Sequence, residues 1–411
     1  MVSIADAREF NQLNTVVDIH AHPVLKTYLF DYNIYEMHQN HFPFIEFNPF
    51  YLQVDIPKLL QGGIDVVFST VYLPERPFID NCEIVSGIFK ILKNFFTSLT
   101  DKVEDNSSSN RPFEQTLGII DQLENKVQEA KSKGYSISIP KNCDELQTSI
   151  EKGEVVFLHA VEGAHSLGRN HQDTSDYLNN LRILLEKGVC QMTLAHFYPN
   201  DVTYQINGIP PTVRKFLECK NTSNPEKGLT DIGETVVKEM LKIGMVVDLT
   251  HSTPLAREKV YEIDRSLGDN RRPLVFSHVG VQKLFSDQCS PDKLYNVDKN
   301  EIMEIHHCHG VIGLIADNYW LFGREEKPFQ NNPAIPKLIE TIDYIHDITG
   351  TYENIAVGTD YDGFTDTGDD LKDPSEMPNL TLALLDHIND PAQVKLILGE
   401  NALRVLREGW I

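Results

Sequence analysis

Six short segments of this sequence end in side chains that could bind a metal ion or carry a proton. Histidine and carboxylate are the ligands that zinc and similar divalent ions take up in proteins. A single histidine of this kind is more often a hydrogen-bonded core or loop residue, but six such segments in one chain favour a shared site. The segments are Asp18-Ile19-His20-Ala21-His22, His159-Ala160-Val161-Glu162, Thr193-Leu194-Ala195-His196, Asp248-Leu249-Thr250-His251, Phe276-Ser277-His278 and Gly358-Thr359-Asp360-Tyr361-Asp362.

The spacing within the first and second segments adds to this hypothesis. Alternate side chains of an extended chain point the same way, so His20 and His22 can face one site. Glu162 is followed by Gly163, whose lack of a side chain permits close backbone approach. A carboxylate at position 162 could therefore bridge two cations.

These segments follow apolar, β-branched runs that alternate with helical stretches along the chain. Such alternation is typical of βα units around a parallel sheet. Eight strands in sequence, with no Gly-x-Gly-x-x-Gly after the first, favour a closed barrel over a nucleotide-binding open sheet. We predict an α/β fold, a (β/α)8 TIM barrel with helical insertions, whose strands lie at 15–20, 64–71, 154–160, 190–195, 245–250, 273–278, 310–316 and 354–359.

Catalytic groups of such barrels gather at the carboxyl ends of the strands, where all six segments fall. The clearest helix is expected over 230–243, with Thr230 at its start and Gly244 ending it. We expect residues 1–411 to form a single metal-dependent hydrolase barrel domain, with insertions near 80–150 and 197–228.

Composition excludes several other classes of protein. The formal charge is −23, from 37 basic and 60 acidic residues, so neither nucleic acid nor an anionic membrane is an expected partner. No apolar run reaches the roughly 18 residues of a membrane span, and the first residues lack the apolar segment of a signal peptide. No signal peptide or membrane anchor is visible, and a cytoplasmic location is favoured. The six cysteines are far apart and without a Cys-x-x-Cys pair, so we expect reduced, mostly buried thiols.

The order of these residues resembles the amidohydrolase superfamily. Many of its members bridge two metals with a carboxylated lysine after strand four. This chain has no lysine at a strand end, and Glu162 is the natural bridge. That arrangement resembles the membrane (renal) dipeptidase family of metallopeptidases, as do the stretches QVDIPKLLQGGIDVVFSTVYLP, HAVEGAHSLG, GLTDIGETVVKEMLKIGMVVDLTHST, PLVFSHVG, NIAVGTDYDGF and LGENALRVL.

The resemblance implies a binuclear hydrolase that cleaves the amide bond of dipeptides or similar small amides by attack of a metal-bridging hydroxide. It implies two divalent ions, with zinc expected, and a possible homodimer. One ion would be held by His20, His22 and Glu162, and the other by Glu162, His251 and His278. His196 would hydrogen-bond the substrate carbonyl, and Asp360 would carry the proton.

The chain departs from the family in two ways. The family usually has His-x-Asp in the first motif, where this chain has His22, which removes one negative charge. The family also places an arginine after the sixth-strand histidine to hold the substrate carboxylate, whereas the corresponding stretch here is Leu294-Tyr295-Asn296-Val297. Lys283, Lys293 and Arg324 are candidate replacements, and Tyr295, Asp317 and Tyr319 are further candidates for substrate contact.

These departures leave two alternatives open. One is an amidohydrolase that acts on a non-dipeptide amide, such as an N-acyl amino acid, a lactam or a cyclic amide. The other is a non-catalytic metal-binding barrel. His306, His307 and His309 precede a strand and are interpreted as structural. The loop that contains His38 and His41 is expected to pack over the barrel rim, with lining of the pocket as the alternative. His165 and Asp362 would orient their neighbours.

Overall fold

A computed structural model describes residues 2–40, 48, 50–87, 102–323 and 332–410. All strand pairings in it are parallel. The strands are β1 (Val17–Ala21), β2 (Val66–Val71), β3 (Ile137–Ser138), β4 (Val155–Glu162), β5 (Val189–Thr193), β6 (Val246–Asp248), β7 (Leu274–Val279), β8 (Val311–Leu314) and β9 (Ile355–Val357).

Eight of these strands close into a barrel. The pairing runs from β1 through β2, β4, β5, β6, β7, β8 and β9 and back to β1, which confirms the predicted (β/α)8 barrel. The two-residue strand β3 pairs only with β4 and was not predicted. Each predicted barrel strand overlaps an observed one, with ends that differ by at most two residues.

Helices surround the barrel. They are α1 (Ile4–Leu13), α2 (Pro23–Phe30), α3 (Ile56–Gly62), α4 (Arg76–Asn81), α5 (Arg111–Ser132), α6 (Cys143–Glu151), α7 (Thr174–Glu186), α8 (Pro211–Phe216), α9 (Asp231–Ile243), α10 (Pro254–Arg265), α11 (Lys299–His307), α12 (Asn318–Phe322), α13 (Ile335–Thr349), α14 (Met377–Ile388), α15 (Pro391–Lys395) and α16 (Asn401–Gly409). Among the described residues, no helix is long and apolar enough to cross a membrane.

The predicted helix at 230–243 is α9. Its Thr230 side chain accepts the backbone N–H of Gly233, and Gly244 ends the helix in the left-handed region at φ 76°. Gly244 therefore lets the chain turn directly into β6.

The core has two layers. Inside the barrel, Val17, Ile19, Phe68 and Leu158 pack in one cluster with Trp410 of the C-terminal segment. A larger cluster fills the space between the outer face of the strands and the helices. With its interior filled, the barrel leaves the carboxyl ends of its strands as the place where a site can form.

Two of the cysteines correct the expectation of reduced thiols. Cys82, in the insertion after β2, is joined by a disulfide to Cys219, in the insertion after β5. The two residues are 137 positions apart, so no local spacing could have indicated the pair. The other four, Cys143, Cys190, Cys289 and Cys308, are free.

Candidate metal centre

The carboxyl end of the barrel brings the candidate side chains together around Glu162. Glu162 is the last residue of β4 and is buried, with both carboxylate oxygens facing imidazoles. Its Oε1 lies 3.3 Å from Nε2 of His251, 3.5 Å from that of His20 and 3.6 Å from that of His278. Its Oε2 lies 3.3 Å from Nε2 of both His22 and His196.

The orientation of His20 and His22 follows from the end of β1. His20 belongs to the strand, and His22 comes one residue after it, directly before α2. The Nδ1 of His22 lies 3.1 Å from the carbonyl oxygen of Thr70 on β2, so this nitrogen donates and Nε2 faces the centre. The neighbouring strand therefore sets the direction of the ring.

Several nitrogen atoms in this cluster face each other at distances that fit either a shared proton or a bound cation. Nε2 of His20 and of His22 are 3.1 Å apart, and Nε2 of His251 and of His278 are 3.2 Å apart. Glu162 Oε1 is buried and accepts no hydrogen bond. Three sets of side chains each have ligand atoms close enough together to bind one metal ion. They are His20, Glu162 and His278; His20, His22 and Asp360; and Glu162, His196 and His251. This donor set fits divalent metal ions of the zinc type.

The electrostatics agree with this interpretation. Burial lowers the pKa of His20, His196 and His278 well below the usual range, which keeps them in the neutral form that binds metals. Burial raises the pKa of Glu162, but the imidazoles of His196 and His20 outweigh it and hold that pKa well below its usual range.

His22 differs from the other histidines. Burial lowers its pKa, but the hydrogen bonds to Asp360 and Glu162 raise that pKa to about 10. In the absence of a metal, the ring of His22 is therefore favoured in its protonated, positively charged form between the two carboxylates. A divalent cation fits the same electrostatic environment.

Asp360 stands at the edge of the cluster. Its Oδ1 is 3.3 Å from Nε2 of His22, and its backbone N–H donates to the carbonyl of His20 over 2.9 Å. Its side chain is 12% exposed, more than any of the metal-ligand candidates, and burial raises its pKa. A Cβ at Gly363 would come within 2.2 Å of Asp360 Oδ1, so a side chain at this position would displace the carboxylate.

Two carboxylates behind the histidines support the strand ends. Asp248 Oδ2 accepts the hydroxyl protons of Ser277 over 2.6 Å and Thr193 over 2.5 Å. Asp18 accepts the hydroxyl and the N–H of Thr359, over 2.6 and 3.0 Å. These contacts tie neighbouring strands together directly beneath the cluster.

Glu75 is a buried carboxylate at the centre that sequence reasoning missed. It follows β2, and its Oε2 lies 3.2 Å from Nδ1 of His196. It also accepts the N–H groups of Phe197 and Tyr198, each over 3.1 Å. The only signal in the sequence was its place a few residues beyond a strand end, where the other candidate residues also lie.

The residues expected to contact the substrate lie close to the cluster but are largely engaged. Tyr295 is buried, its hydroxyl donates to the carbonyl of His278 over 3.1 Å, and its ring stacks on Trp320. Asp317 is buried as the cap of α12 and accepts the N–H groups of Trp320 and Asp366. Burial raises the pKa of Asp317 to about 7.

Lys283 and Lys293, the two described candidates for replacing the missing arginine, contact none of the described residues of the centre. Lys283 is exposed, Lys293 donates to the carbonyl of Gln288, and Arg324 lies outside the described residues. Instead, Arg214 of α8 extends to the loop before Tyr295 and pairs with Asp292 over 2.7 Å. Tyr319 donates to the same carboxylate over 2.9 Å.

The residues interpreted as structural contact other parts of the fold. His306 lies at the end of α11, before β8, and its Nδ1 is 2.8 Å from Oδ1 of Asn354. His165 Nε2 is 2.9 Å from the carbonyl of Leu73. Asp362 pairs with Lys26 over 3.0 Å, and His38 is 3.5 Å from Asp55. His41 lies outside the described residues.

Comparison with known proteins shows one consistent likeness. The profile described as membrane dipeptidase, peptidase family M19, matches residues 5–409. Dipeptidase tcpJ of Claviceps purpurea (strain 20.1) is 26% identical over 356 residues, covering 86% of this chain and 69% of that protein. Dipeptidase verJ of Clonostachys rogersoniana is 25% identical over 354 residues, covering 86% of this chain and 74% of that protein.

Solved structures share the fold. A metallopeptidase from Rhodobacter sphaeroides, liganded with a phosphinate mimic of the dipeptide L-Ala-D-Ala, superposes with a TM-score of 0.72 at 16% identity, covering 97% of this chain and 99% of that one. The probable dipeptidase PvdM from Pseudomonas aeruginosa superposes with a TM-score of 0.70 at 15% identity, covering 98% of each chain.

Proposed function

The chain belongs to the membrane dipeptidase family of metallopeptidases, peptidase family M19, and from this premise we propose that it hydrolyses the amide bond of dipeptides at a two-metal centre in the barrel mouth. The observation that carries the proposal is the position of Glu162. Each of its carboxylate oxygens faces imidazole nitrogens from different strands, as a bridge between two cations requires.

The proposed ligands are those that the family resemblance implies. His20, His22 and Glu162 would hold one ion, and Glu162, His251 and His278 the other. When bound, two divalent ions supply Lewis acidity and lower the pKa of water toward neutrality. Zinc is the proposed metal because it binds the nitrogen atoms of imidazoles and the oxygen atoms of carboxylates. Metal analysis of the purified protein would test both the identity and the number of ions.

Asp360 is the proposed proton carrier. Its carboxylate is within 3.3 Å of His22 and is partly exposed, so it lies between the cluster and the open end of the barrel. Burial raises its pKa, which makes the carboxylate a better proton acceptor at neutral pH. We propose that it takes the proton released when water attacks the amide and passes it to the leaving amine.

His196 is proposed to lie beside the scissile carbonyl. It follows β5. The centroid of its ring lies 4.3 Å from that of Tyr72 and 3.7 Å from that of Phe197. Tyr295 and Asp317 are buried and engaged elsewhere, so we propose that they shape the wall of the substrate site instead of binding the substrate by charge.

A second candidate substrate is favoured by one observation. The stretch that corresponds to the family's arginine is Leu294-Tyr295-Asn296-Val297, and the two described arginines that reach this loop, Arg214 and Arg257, are already paired with Asp292 and Glu301. A substrate without a free carboxylate next to the cleaved bond would need no such cation. An N-acyl amino acid, a lactam or a cyclic amide is therefore the alternative to a dipeptide.

The experiment is a substrate panel on the zinc-reconstituted protein. It compares L,L- and L,D-dipeptides, the same dipeptides with amidated C-termini, and N-acyl amino acids. We expect dipeptide turnover that is lost on chelation and returns with zinc. Turnover confined to the amidated or N-acyl compounds would replace the dipeptide by the second candidate. If none is cleaved while two metals are bound, the barrel is non-catalytic and the proposal is wrong.

Three further proposals concern the whole chain. We propose a single barrel domain over residues 1–411, which limited proteolysis would test, and a homodimer, which light scattering would test. The disulfide between Cys82 and Cys219 favours a compartment where disulfides persist, and we propose this in place of the cytoplasm expected from the sequence. Mass spectrometry of the protein trapped in its cells would show the state of that bond.

A further inference from the structure

Phe197 is an aromatic residue that stands beside the candidate metal centre and that the proposed reaction does not use. The centroid of its ring lies 3.7 Å from that of His196 and 5.9 Å from that of His251. Phe197 is half-buried, whereas its neighbours in the chain, His196 and Tyr198, are buried. Part of a carbon surface next to the reacting groups is therefore accessible to a bound molecule.

The backbone of Phe197 is held at both of its polar groups. Its N–H donates to Oε2 of Glu75 over 3.1 Å, and its carbonyl oxygen accepts a hydrogen bond from Nε2 of Gln205 over 2.9 Å. Gly208 packs against the ring, since a Cβ at that position would lie 3.1 Å from Cε1 of Phe197 and 2.6 Å from the ring of His251. The ring is thus fixed before any substrate arrives, which lowers the entropic cost of binding.

A second aromatic ring extends this surface. Phe78 of α4 is also half-buried, and its ring centroid lies 6.1 Å from that of Phe197. The two rings belong to the insertions after β2 and after β5, which the disulfide between Cys82 and Cys219 joins. Phe78 and Phe197 therefore form one apolar surface, the aromatic wall, on two covalently linked segments.

The aromatic wall lies on one side of the barrel mouth. His196 and Phe197 follow β5, whereas Asp360 follows β9, and the closed sheet runs from β9 through β1, β2 and β4 to β5. These two strands are thus opposite each other in the eight-stranded barrel. Because Asp360 is the proposed donor to the leaving amine and His196 the proposed neighbour of the scissile carbonyl, the wall lies on the carbonyl side of the substrate.

We propose that Phe197 is a specificity-determining residue, and that the aromatic wall receives an apolar group attached to the scissile carbonyl. In a dipeptide this group is the side chain of the N-terminal residue, of the size of leucine or phenylalanine. In an N-acyl amino acid, the second candidate substrate, it is the acyl chain. The inference rests on the proposed function and adds to it the chemistry of the group beside the carbonyl.

The charge around the aromatic wall favours an apolar occupant over an acidic one. Glu75, which accepts the N–H of Phe197, and Glu162, 3.3 Å from His196, are buried carboxylates. A carboxylate side chain against the wall would lose water, gain no partner from the rings and lie near these two negative charges. The burial of an apolar side chain against the same rings is favourable.

The test compares substrates that differ at one position. The zinc-reconstituted protein is given dipeptides X-Gly, in which X is glycine, leucine, phenylalanine, glutamate or lysine, and the reversed series Gly-X. N-acetylglycine and N-hexanoylglycine form a matched N-acyl pair. Wild type, Phe197→Ala and Phe197→Leu are compared with Phe216→Ala, which is the control because Phe216 lies in the same insertion as Phe197 and is 72% exposed.

We expect kcat/KM of the wild type to be higher for Leu-Gly and Phe-Gly than for Gly-Gly by about tenfold or more. Phe197→Ala should remove most of this preference, Phe197→Leu should retain part of it, and Phe216→Ala should keep it. The Gly-X series should show no comparable change, because its side chain lies on the opposite, amine side. Turnover restricted to the N-acyl pair, with the hexanoyl compound preferred, would support the wall and identify the acyl chain as its occupant.

Three results would overturn the inference. One is a wild type that prefers Glu-Gly or Lys-Gly, and another is an equal loss for every X-Gly peptide in Phe197→Ala. The third is equal affinity of the wild type for phosphinate mimics of Leu-Gly and Gly-Gly, which calorimetry measures without turnover. Absence of turnover for every compound while two metals are bound would refute the proposed function, and the binding of the mimics would still decide whether the wall receives an apolar group.

Discussion

The hydroxyl oxygen of Ser277 lies 2.8 Å from Nδ1 of His278, the next residue along β7. Ser277 has one hydroxyl proton, and it is donated to Asp248 over 2.6 Å. The Nδ1 of His278 must therefore be the donor in its contact with Ser277. His278 is thus held with its Nε2 lone pair toward Glu162 by a serine that links it to a buried carboxylate.

Ser277→Ala should lower the affinity for one of the two metal ions by about tenfold, because the ring of His278 loses the acceptor that selects its tautomer. Ser277→Thr keeps a hydroxyl at the same position and should restore most of the affinity. Chelator competition at fixed pH would measure both variants. Equal affinity of the alanine variant and the wild type would show that the strand alone orients His278.

Chelation should lower the melting temperature by several degrees, because a bound ion stabilises the folded state through its binding free energy. Glu162→Gln should abolish this difference, since it removes the proposed bridge, and should lower kcat/KM by about a thousandfold, or about 4 kcal/mol. Scanning calorimetry with and without zinc would measure the first effect. If the melting temperature of the wild type is the same with and without chelator, that result would contradict a metal centre in the barrel.

Asp360→Asn should lower kcat by about 100- to 10,000-fold with little change in KM, because the amide cannot accept a proton. The metal content should stay that of the wild type. If Asp360→Asn instead loses an ion, Asp360 is a ligand together with His20 and His22, with which it shares a potential binding group. Kinetics and metal analysis on the same sample distinguish the two.

Replacing both Cys82 and Cys219 by serine should lower the free energy of unfolding by roughly 2–4 kcal/mol, because the disulfide limits the unfolded chain. Cys289→Ser is the control, since Cys289 is free and exposed. Denaturant titration with and without reductant would measure the difference. No effect of reductant on the wild type would mean that the pair contributes nothing to stability.

The stability contributed by Asp65 should depend on pH. Burial raises the pKa of Asp65 to about 6, while its carboxylate accepts the N–H of Val16 over 2.9 Å. A carboxyl group with a raised folded-state pKa contributes stability below its unfolded value, and this is lost as the pH rises through about 6. The melting temperature of wild type should therefore fall relative to that of Asp65→Asn between pH 4 and pH 7. If the melting temperatures of the two proteins change in the same way between pH 4 and pH 7, the titration of Asp65 does not affect stability.

The fold was predictable because the barrel strands are continuous apolar runs. Runs such as TVVDIH and EVVFLHA are typical of strands that are buried on both faces, as in a parallel sheet covered by helices. The short strand β3 has two residues and was invisible, since two residues carry no periodicity. The disulfide was equally hidden, because the fold brings Cys82 and Cys219 together from separate insertions.

The candidate site was predictable in its residue types and not in its contacts. Strand-end histidines stand out when the strands are known, and the fold then brings them to one place. Glu75 is a lone acid after Pro74, without spacing or repeat to mark it, and its relation to His196 spans 121 positions. The orientation of His196 and the tautomer of His278 depend on such partners, so they emerge only in three dimensions.

Closure of the barrel between β1 and β9 has a consequence for the order in which this protein matures. His20 is translated long before Thr359 and Asp360, which contact the same strand. A nascent chain on the ribosome therefore carries an incomplete pocket until its last strand has emerged. Metal capture by the closed barrel then has to wait for β9, and a chain truncated before residue 355 would leave its first histidines without the strand that closes the barrel beside them.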